Sequence, residues 1–519
     1  MATAQPNLEK RDVVSSFIFH FPPGKPSNPV VALFRRSDKV NTYQHHLAPI
    51  SGTISQKDKD PLTAAWRELA EETTLTPSNL TLWRTGKPFT FRDPSVGREW
   101  TVHPFAFRLD GPESAIQTDW EHERWEWYDP RAVRDEANFG GVPRLKESLC
   151  RVWFEGAMSE PASQILSTGL NRLRTDHKSG ANELTAIALN VFRDFIMHTR
   201  NALDETWWTT VRMVAWHLVK NGRESMGAAT LNAVLAVLTE IEKILQVRGD
   251  MAVTEQEWDR ILPMMDFQVS KRASNKKRVM KSFTSYLRSR FLGNGMGETL
   301  TILTMSSSST IQDSILDAFA ALDIQMLELR VLESRPLFEG TSYASSILCR
   351  LKSQFQTSDK KTLKVRMYTD ASAALAAEGV DIVLLGADRI SAQKGVSNKT
   401  GSLPLVLSTK QVAPSVQVVV LSGLEKINGT SGFIDDDEPE DYGPAEVVNT
   451  WRNDGIEGVD ILEQAMENGI VEVENVYFEW VPFSLVDAFV CEDGILDVGS
   501  LQERSRQLRE MVDRYFGDL

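Results

Sequence analysis

The sequence predicts an α/β protein built in three successive parts, and three patterns along the chain support this prediction. In the first third, β-rich runs surround one marked helix. In the middle third, apolar residues recur at three-to-four spacing with few Gly or Pro residues, which is typical of helices. In the last third, short continuous apolar runs alternate with helical stretches, which is the pattern of a parallel sheet covered on both faces.

The first part is predicted to be an α/β domain with one central helix. This helix should begin at Asp60 and Pro61, because Asp is a good N-cap and Pro a good first helical residue. It should end near Thr74. The predicted strands around it are 13–21, 30–34, 89–92 and 100–109.

The rest of the chain is predicted to hold a helical subdomain and then a parallel sheet. The predicted helices of the subdomain are 162–174, 181–199, 207–220, 226–247 and 255–264. The predicted strands of the sheet are 299–304, 325–332, 364–368, 380–385 and 416–421, with helices at 311–322 and 371–378. The predicted domains are therefore residues 1–155, 156–265 and 266–519.

Charge and cysteine content exclude several classes of protein. The 519 residues include 57 Lys and Arg against 71 Asp and Glu, a net charge of -14 that argues against general nucleic-acid binding. The three cysteines are scattered, which excludes a disulfide framework and a thiolate zinc site. The first eleven residues lack the apolar segment of a secretory signal, and no run of about 18 apolar residues is present. We therefore expect a cytoplasmic protein without a membrane segment.

Three carboxylates are predicted to share one face of the helix that begins at Pro61. Glu68, Glu71 and Glu72 lie at positions i, i+3 and i+4, where like charges repel each other. One interpretation is a solvated acidic face. The other is a divalent-metal site, because a cation relieves the repulsion and Mg²⁺ prefers oxygen ligands. Such a site can activate water for attack on a diphosphate.

The residues around these carboxylates favour the metal site. Gly52, with the segment R-E-L-A-E-E at 67–72, resembles the Nudix box, G-x5-E-x7-R-E-U-x-E-E-x-G-U, and the resemblance extends over about residues 10–150. The chain departs from the box in three places. The loop is one residue longer, Lys59 stands at the first Glu position, and Thr74 replaces the late Gly.

The resemblance implies a Nudix α/β/α sandwich and hydrolysis that depends on Mg²⁺ or Mn²⁺. It implies that Glu68 and Glu72 are the principal metal ligands, with Glu71 assisting as a third. It also implies a catalytic set of Glu68, Glu71 and Arg67, in which Arg67 orients the carboxylates. A further carboxylate would come from a later loop, and the candidates are Glu121, Glu123 and Glu126.

Polar turns follow several strands of the predicted parallel sheet. Ser306 lies in a hydroxyl-rich turn, Arg335 follows the next strand, and Asp388 follows strand 380–385. Asn398 and Lys399 come ten residues later. Each turn taken alone fits an ordinary helix cap or break. Four of them at the carboxyl ends of one parallel sheet fit a phosphate-sugar pocket better. Arg and Lys would bind phosphate there, and Asp would bind a hydroxyl or move a proton.

Four segments of the last third resemble one known family. They are ESRPLFEG, VDIVLLGADRI, GVSNKTGSLPLVL and NVYFEWVPFSLVDAFVCEDGI, and they resemble the eukaryotic initiation factor 2B alpha, beta and delta subunits. That family also includes methylthioribose-1-phosphate isomerase and ribose-1,5-bisphosphate isomerase. The resemblance covers about residues 160–519. It implies a helical subdomain, a Rossmann-like sheet domain, and either homodimerisation or contacts with initiation factor 2B-like subunits.

The resemblance also implies that the second pocket does not isomerise its ligand. In the isomerases a cysteine in the turn after strand 299–304 works with the aspartate of the GAD segment, which is Asp388 here. Ser306 stands at the cysteine position, and an alcohol does not ionise as readily as a thiol. The residues that the resemblance assigns to this pocket are Arg223, Ser306, Arg335, Asp388, Asn398 and Lys399.

The sequence therefore predicts a Mg²⁺-dependent, Nudix-type hydrolase of a nucleoside diphosphate-linked substrate. Its second part is expected to bind a sugar phosphate or a nucleotide. One alternative is a non-catalytic translation initiation factor 2B-like regulatory subunit or scaffold. Another is a sugar-phosphate isomerase, which Ser306 disfavours. The expected partners are small phosphorylated molecules, and neither a membrane nor general nucleic acid is among them.

Overall fold

The computed structural model describes most of the chain, which divides into two compact units. The described residues are 8–22, 29–176, 179–200, 206–224, 227–245, 253–292, 299–305, 308–354, 361–429 and 441–519. The first unit comprises residues 1–175, 191–222 and 519, and the second comprises 176–190 and 223–518. The domain boundaries predicted at residues 155 and 265 stay predictions.

The first unit is built on a mixed β-sheet. Its strands, within the described residues, are β1 (Glu9–His20), β2 (Val30–Arg36), β3 (Leu47–Ala48), β4 (Leu80–Thr85), β5 (Phe89–Asp93), β6 (Arg98–Leu109) and β7 (His122–Tyr128). The strand order is β3-β2-β1-β6-β4, with β5 paired to β6 and β7 paired to β2. Strands β1 and β6 run parallel, and the other pairs are antiparallel.

Helices cover both faces of this sheet, which confirms the predicted α/β/α sandwich. These are α1 (Pro61–Thr73) and α2 (Leu145–Val152), which pack on opposite faces. The unit also contains α3 (Glu160–Thr175), α5 (Trp207–Lys220) and the part of α4 (Ala181–His198) that follows residue 190. Val14 and Ile18 of β1 pack with Leu69 of α1. Phe17 and Phe19 point to the opposite face and pack with Leu149 of α2, because successive residues of a strand alternate between faces. The two faces of one strand thus support two separate cores.

Helix α1 begins and ends as predicted from its capping residues. The Asp60 side chain accepts a hydrogen bond from the Thr63 backbone N–H at 2.7 Å, and Pro61 is the first helical residue. The chain leaves the helix at Thr74, which adopts a left-handed conformation with φ of 62°. Its N–H still bonds to the Ala70 carbonyl, so this end of the helix is satisfied without the glycine that usually occupies such a position.

The second unit contains two sheets within its described residues. Its strands are β8 (Thr299–Thr304), β9 (Met326–Leu332), β10 (Thr362–Tyr368), β11 (Ile382–Leu385), β12 (Arg389–Ser391), β13 (Gly395–Lys399), β14 (Gln417–Leu421), β15 (Ile427–Asn428), β16 (Phe478–Val481), β17 (Ala488–Cys491) and β18 (Gly494–Leu496). The larger sheet has the order β10-β9-β8-β11-β14-β17-β18, and the smaller has β15-β12-β13-β16.

The larger sheet confirms the predicted Rossmann-like domain. Its first six strands are parallel, and only the edge strand β18 is antiparallel. Counted along the chain, these six strands follow the order 3-2-1-4-5-6, which reverses direction between β8 and β11. Ligands of such sheets bind beyond the carboxyl ends of the strands at this reversal. Asp388 follows β11 at this edge, whereas Ser306, which follows β8 in the sequence, lies outside the described residues.

The helices of the second unit include one that is longer than predicted. They are α6 (Gly227–Leu245), α7 (Glu255–Leu287), α8 (Ser309–Ala321), α9 (Glu339–Gln354), α10 (Ala373–Ala377), α11 (Ser402–Val412), α12 (Ala445–Asn453), α13 (Val459–Glu467) and α14 (Val498–Phe516). The predicted end of α7 at residue 264 is wrong. Pro263 costs a helical hydrogen bond, but Val279 and Phe283 are buried in the core of the larger sheet and stabilise the continuation. Among the described residues, none of the helices has the length and apolar character that a bilayer crossing requires.

Candidate functional site

Helix α1 places its three glutamates in different environments. Glu72 is buried, with only 3% of its surface exposed, whereas the side chain of Glu71 is 60% exposed. The side chain of Glu68 is 12% exposed. Glu68 and Glu72 line a cavity of about 430 Å³, and Glu71 does not. The structure therefore brings together two of the three carboxylates that the sequence places on one helical face.

Arg67 connects the helix to the loop that precedes it. Its guanidinium donates to Asp58 at 3.0 Å, to Glu68 at 2.7 Å and to Glu71 at 3.2 Å. It also donates to the Thr53 carbonyl at 3.2 Å. The hydrogen bond from Arg67 holds the pKa of Asp58 well below its usual range. Arg67 therefore occupies the position of a residue that orients Glu68, and its bonds to Asp58 anchor the loop that is one residue longer than the Nudix box.

Gly52 approaches the carboxyl group of Glu68 more closely than any other residue type would allow. A Cβ atom at Gly52 would lie 1.9 Å from the Glu68 carboxyl carbon. Backbone bonds fix the glycine, because its carbonyl accepts from the Val14 N–H at 2.9 Å. Glycine at this position of the box therefore leaves space for a carboxylate. Its role does not depend on an unusual backbone angle.

Glu72 and His122 form a buried pair that the sequence did not indicate. The Nε2 atom of His122 lies 2.6 Å from the Glu72 carboxylate. Burial, together with the charges of Glu121 and Glu68, raises the pKa of Glu72 to about 10. Burial and the nearby Arg36 guanidinium lower the pKa of His122 to about 4. A neutral imidazole therefore contacts a carboxyl group that is costly to ionise.

The residue before strand β7 brings a third carboxylate to this cavity. Glu121, just before β7, lines the cavity, and burial followed by the charge of Asp119 raises its pKa. Of the three later carboxylates considered from the sequence, only Glu121 reaches the cavity. Glu123 pairs with His45 at 2.5 Å, and Glu126 pairs with Arg124 at 2.9 Å. The antiparallel pairing of β7 with β2 decides which of the three reaches the site.

The rest of the cavity lining is rich in aromatic and basic residues. Five aromatic side chains line it, which are Tyr43, Phe89, Phe91, Trp100 and Trp120. Five basic side chains also line it, which are Arg11, Arg36, Lys39, Arg98 and Arg144. Aromatic rings provide surfaces for a planar base, and basic side chains bind phosphate oxygens. These ten residues come from distant segments, and none of them is predicted from the sequence.

The charge balance of the carboxylates fits a divalent cation. Among the described residues, no three His, Cys, Asp or Glu side chains are already arranged around a common metal position. Glu68, Glu72 and Glu121 nevertheless line one cavity, and burial raises the pKa of each carboxyl group. Oxygen donors are the ligands that Mg²⁺ prefers, and a dication would relieve the repulsion among them. The donor set therefore fits the metal that the resemblance implies.

In the second unit, the structure connects two of the predicted pocket residues through a pair of tyrosines. Arg223 donates to the Tyr442 hydroxyl, and the rings of Tyr442 and Tyr477 have centroids 3.9 Å apart. The Lys399 ammonium lies 4.0 Å from the centre of the Tyr477 ring. It also lies 2.6 Å from the Glu339 carboxylate. Neither tyrosine is predicted from the sequence as a pocket residue, although Tyr477 lies within one of the segments that resemble the initiation factor 2B family.

The other pocket residues that the structure describes have different neighbours. Asp388 lies at the start of the β12–β13 hairpin, and its N–H donates to the Ser397 carbonyl at 2.8 Å, next to Asn398. The Asn398 amide donates to the Ser402 hydroxyl at 2.8 Å. Arg335 pairs with Asp454 at 3.2 Å. Ser306 lies outside the described residues.

Comparison with known families agrees with the two-part architecture. The family model described as "Initiation factor 2 subunit family" matches residues 177–498, which is more than half of the chain. The chain belongs to the initiation factor 2 subunit family. A second model, described as "NUDIX domain", matches residues 14–150. This confirms both predicted resemblances, and the cavity with Glu68 and Glu72 lies in the NUDIX domain.

Two methylthioribose-1-phosphate isomerases match this family member over a limited length. The methylthioribose-1-phosphate isomerase of Zea mays is 28% identical over 165 residues, and that of Pseudomonas fluorescens (strain Pf0-1) is 31% identical over 167 residues. Each match covers 32% of this chain and 40% of the relative. The chain therefore spans about two fifths of the length of these relatives.

Two solved structures are similar over a larger share of the chain. The translation initiation factor eIF-2B of Pyrococcus horikoshii OT3 has a TM-score of 0.44 and 20% identity, covering 65% of this chain and 98% of that chain. The tetrameric eIF2B-beta2-delta2 complex of C. thermophilum gives a TM-score of 0.44 and 11% identity, covering 67% of this chain and 95% of that chain.

Proposed function

We propose that the NUDIX domain hydrolyses a nucleoside diphosphate linked to a further group, with Mg²⁺ or Mn²⁺ as its cofactor. The observation that carries the proposal is the composition of one cavity. Glu68 and Glu72 share it with an aromatic surface and with basic side chains. These are the three features that bind a metal, a base and a diphosphate respectively.

The proposed roles follow from the contacts of each residue. Glu68 and Glu72 are proposed as the principal metal ligands, with Glu71 assisting and Glu121 as an additional ligand. Arg67 holds Glu68 in place through a hydrogen bond of 2.7 Å. Bound Mg²⁺ would polarise a phosphoryl oxygen and activate a water molecule for attack.

The diphosphate is proposed to bind through the basic side chains of the cavity. The Arg36 guanidinium interacts electrostatically with the carboxylates of Glu72 and Glu121. Arg36 therefore connects the acidic and basic parts of the cavity. On the aromatic side, the indole N–H of Trp100 donates to the Tyr43 hydroxyl at 3.2 Å, and Tyr43 donates to Asp93 at 2.8 Å. These bonds fix the orientation of both rings before a base stacks on them.

A hydrolysis screen tests this proposal. The full chain is incubated with a panel of nucleoside diphosphate derivatives, with Mg²⁺ and with EDTA, and released phosphate-containing products are quantified. Glu68→Gln and Glu72→Gln should each lower turnover at least a hundredfold. Glu123→Gln is the matched control, because Glu123 lies outside the cavity and pairs with His45. Turnover that persists in both cavity variants would refute the metal-site assignment.

We also propose that the second unit binds a sugar phosphate without isomerising it. Support comes from Arg223 and Lys399, two cations gathered around the Tyr442–Tyr477 pair, and from the partial match to methylthioribose-1-phosphate isomerases. Serine at position 306 argues against proton transfer by a thiolate. Binding without turnover also fits the rival hypothesis of a translation-regulatory subunit that senses a metabolite.

An isomerase assay tests whether the second unit binds a sugar phosphate with or without isomerising it. Ribose-1,5-bisphosphate and methylthioribose-1-phosphate are each incubated with the full chain, and the open-chain products are measured. No turnover is expected, whereas calorimetry should detect binding of at least one of the two sugars. Robust turnover would overturn the non-catalytic assignment. Binding of neither sugar would remove the proposed ligand class.

A further inference from the structure

A second large cavity of the first unit lies apart from the acidic helix. It has a volume of about 590 Å³, and none of the carboxylates of helix α1 lines it. Much of its lining comes from residues 153–174, between the segment matched as a NUDIX domain and the segment matched as the initiation factor family. None of the residues to which the two resemblances assign a role lines this cavity.

The charged residues around this cavity have an excess of arginine. Four arginines and two glutamates line it, in a chain whose net charge is -14. The arginines are Arg84, Arg108, Arg131 and Arg174, and the glutamates are Glu155 and Glu160. A concentration of positive charge within an acidic protein indicates an anionic ligand.

Two of these arginines are available to an anion. Within the described part of the chain, Arg131 and Arg174 form no ion pair. The Arg131 guanidinium lies 5.2 Å from the centre of the Trp153 ring. Arg174 donates to the Trp83 carbonyl at 3.2 Å. Burial and the positive charges of Arg84 and Arg108 lower the pKa of Arg174, which reports that its own charge is not compensated.

Three of the other charged side chains, Arg84, Glu155 and Arg108, form ion pairs. Arg84 and Glu155 form a buried ion pair, with 4% and 3% of their side chains exposed. The pair uses one oxygen of Glu155. The other, Oε1, is buried and accepts no hydrogen bond from the described residues, although it belongs to a residue that lines the cavity. A buried carboxylate oxygen without a donor is costly, so a ligand hydroxyl would be a favourable partner.

Helix α3 adds neutral hydrogen-bonding groups along the same cavity. Ser163, Ser167, Asn171 and Arg174 follow one another at spacings of four, four and three residues, and all four line the cavity. Residues at such spacings lie on one face of a helix. The adjoining face of the helix, with Leu166 and Leu173, is buried. The cavity therefore meets a continuous polar face.

We propose that this cavity, named here the arginine pocket, binds a sugar phosphate, with the phosphate on Arg131 and Arg174 and a sugar hydroxyl donating to Glu155. Arginine forks suit phosphate oxygens in geometry and charge. The Glu155 oxygen requires a donor that inorganic phosphate supplies poorly and a sugar hydroxyl supplies well. This site is independent of the metal-dependent hydrolysis proposed for the NUDIX domain and distinct from the pocket proposed for the second unit.

Titration calorimetry on the full chain tests this proposal. Ribose 5-phosphate is the probe, and the buffer contains EDTA and low salt, so that binding does not depend on the metal site. The double variant R131Q/R174Q should bind at least tenfold more weakly than the wild type. Arg124→Gln is the matched control, because Arg124 is an exposed arginine of the same unit, paired with Glu126 and outside the cavity. It should bind like the wild type.

Three further measurements make the result decisive. Ribose without phosphate should not bind at the same concentrations, and inorganic phosphate should bind more weakly than the ester. Lys399→Gln should weaken only the separate site proposed for the second unit, so the binding event that R131Q/R174Q loses should persist in this variant. The reverse pattern would place the site in the second unit and overturn the proposal. Circular dichroism shows whether the double variant is folded. If it is unfolded, the single variant Arg131→Gln, which changes only an exposed residue, replaces it and should weaken binding about threefold. Unchanged affinity of Arg131→Gln would overturn the proposal.

Discussion

The substitution Glu72→Gln is expected to stabilise the metal-free protein, although it should abolish hydrolysis. The carboxyl group of Glu72 has a pKa of about 10 in the folded state and an ordinary pKa of 4.5 when it is exposed. Between these values the unfolded chain has released a proton that the folded chain retains, so stability falls as the pH rises from 4.5 to 10. Each pH unit in this window costs about 1.4 kcal/mol. At pH 7 the cost reaches at most about 3 kcal/mol, and Gln removes it while keeping a hydrogen bond to His122.

Differential scanning calorimetry in EDTA, between pH 6.5 and 9, measures this effect. His122 is neutral in the folded protein throughout this range, since its pKa there is about 4. In the unfolded chain, where its pKa is 6.5, it is largely neutral above pH 7.5, so the difference in slope between wild type and variant above that pH reports Glu72. The variant should melt up to about 6–12 °C higher at pH 7, because 1 kcal/mol corresponds to roughly 2–4 °C in a unit of this size. Glu71→Gln, an exposed position on the same helix, should change the melting temperature by less than about 2 °C. A lower melting temperature for Glu72→Gln, or an unchanged pH slope, would refute the reasoning.

Three other predictions follow from contacts in the two units. Gly52→Ala would place a Cβ 1.9 Å from the Glu68 carboxyl carbon, so turnover in the hydrolysis screen should fall at least tenfold, and wild-type turnover would contradict the close approach. Arg84→Met leaves Glu155 buried without its partner and should cost about 3–5 kcal/mol in urea denaturation, whereas R84M/E155Q should recover more than half of that loss. Lys399→Met removes the cation over Tyr477, so calorimetry should show at least tenfold weaker sugar-phosphate binding to the second unit, with diphosphate hydrolysis unchanged; wild-type affinity would exclude Lys399 from the pocket.

Local signals in the sequence predicted much of the fold. The Asp60–Pro61 start of α1 depends on neighbouring residues alone, and the structure confirms it. The continuous apolar runs that became β8, β11 and β14 also have a local cause, because strands buried on both faces admit few polar residues. The end of α7 was mispredicted because Pro263 is a local signal, whereas the burial of Phe283 depends on a distant sheet.

The composition of the candidate site was less predictable from the sequence. The helical spacing of Glu68 and Glu72 is visible in the sequence, but their partner His122 is fifty residues away from Glu72. Its position depends on the register of β7 against β2, which includes an irregularity between Arg35 and Arg36. Long-range pairing of this kind leaves no periodic trace in a single sequence. The aromatic residues of the cavity depend on the same pairing of distant segments.

The alternation of side chains along β1 constrains how this protein can change during evolution. Val14 and Ile18 support the core beneath the glutamate helix, while Phe17 and Phe19 support the core on the other face. Phe19 also packs edge-on against Trp83, which lines the arginine pocket. A single-residue insertion within this strand would exchange the two sets of side chains and damage both cores at once. Insertions and deletions should therefore accumulate in the loops. A change in this strand that reshapes one cavity should also disturb the packing beside the other.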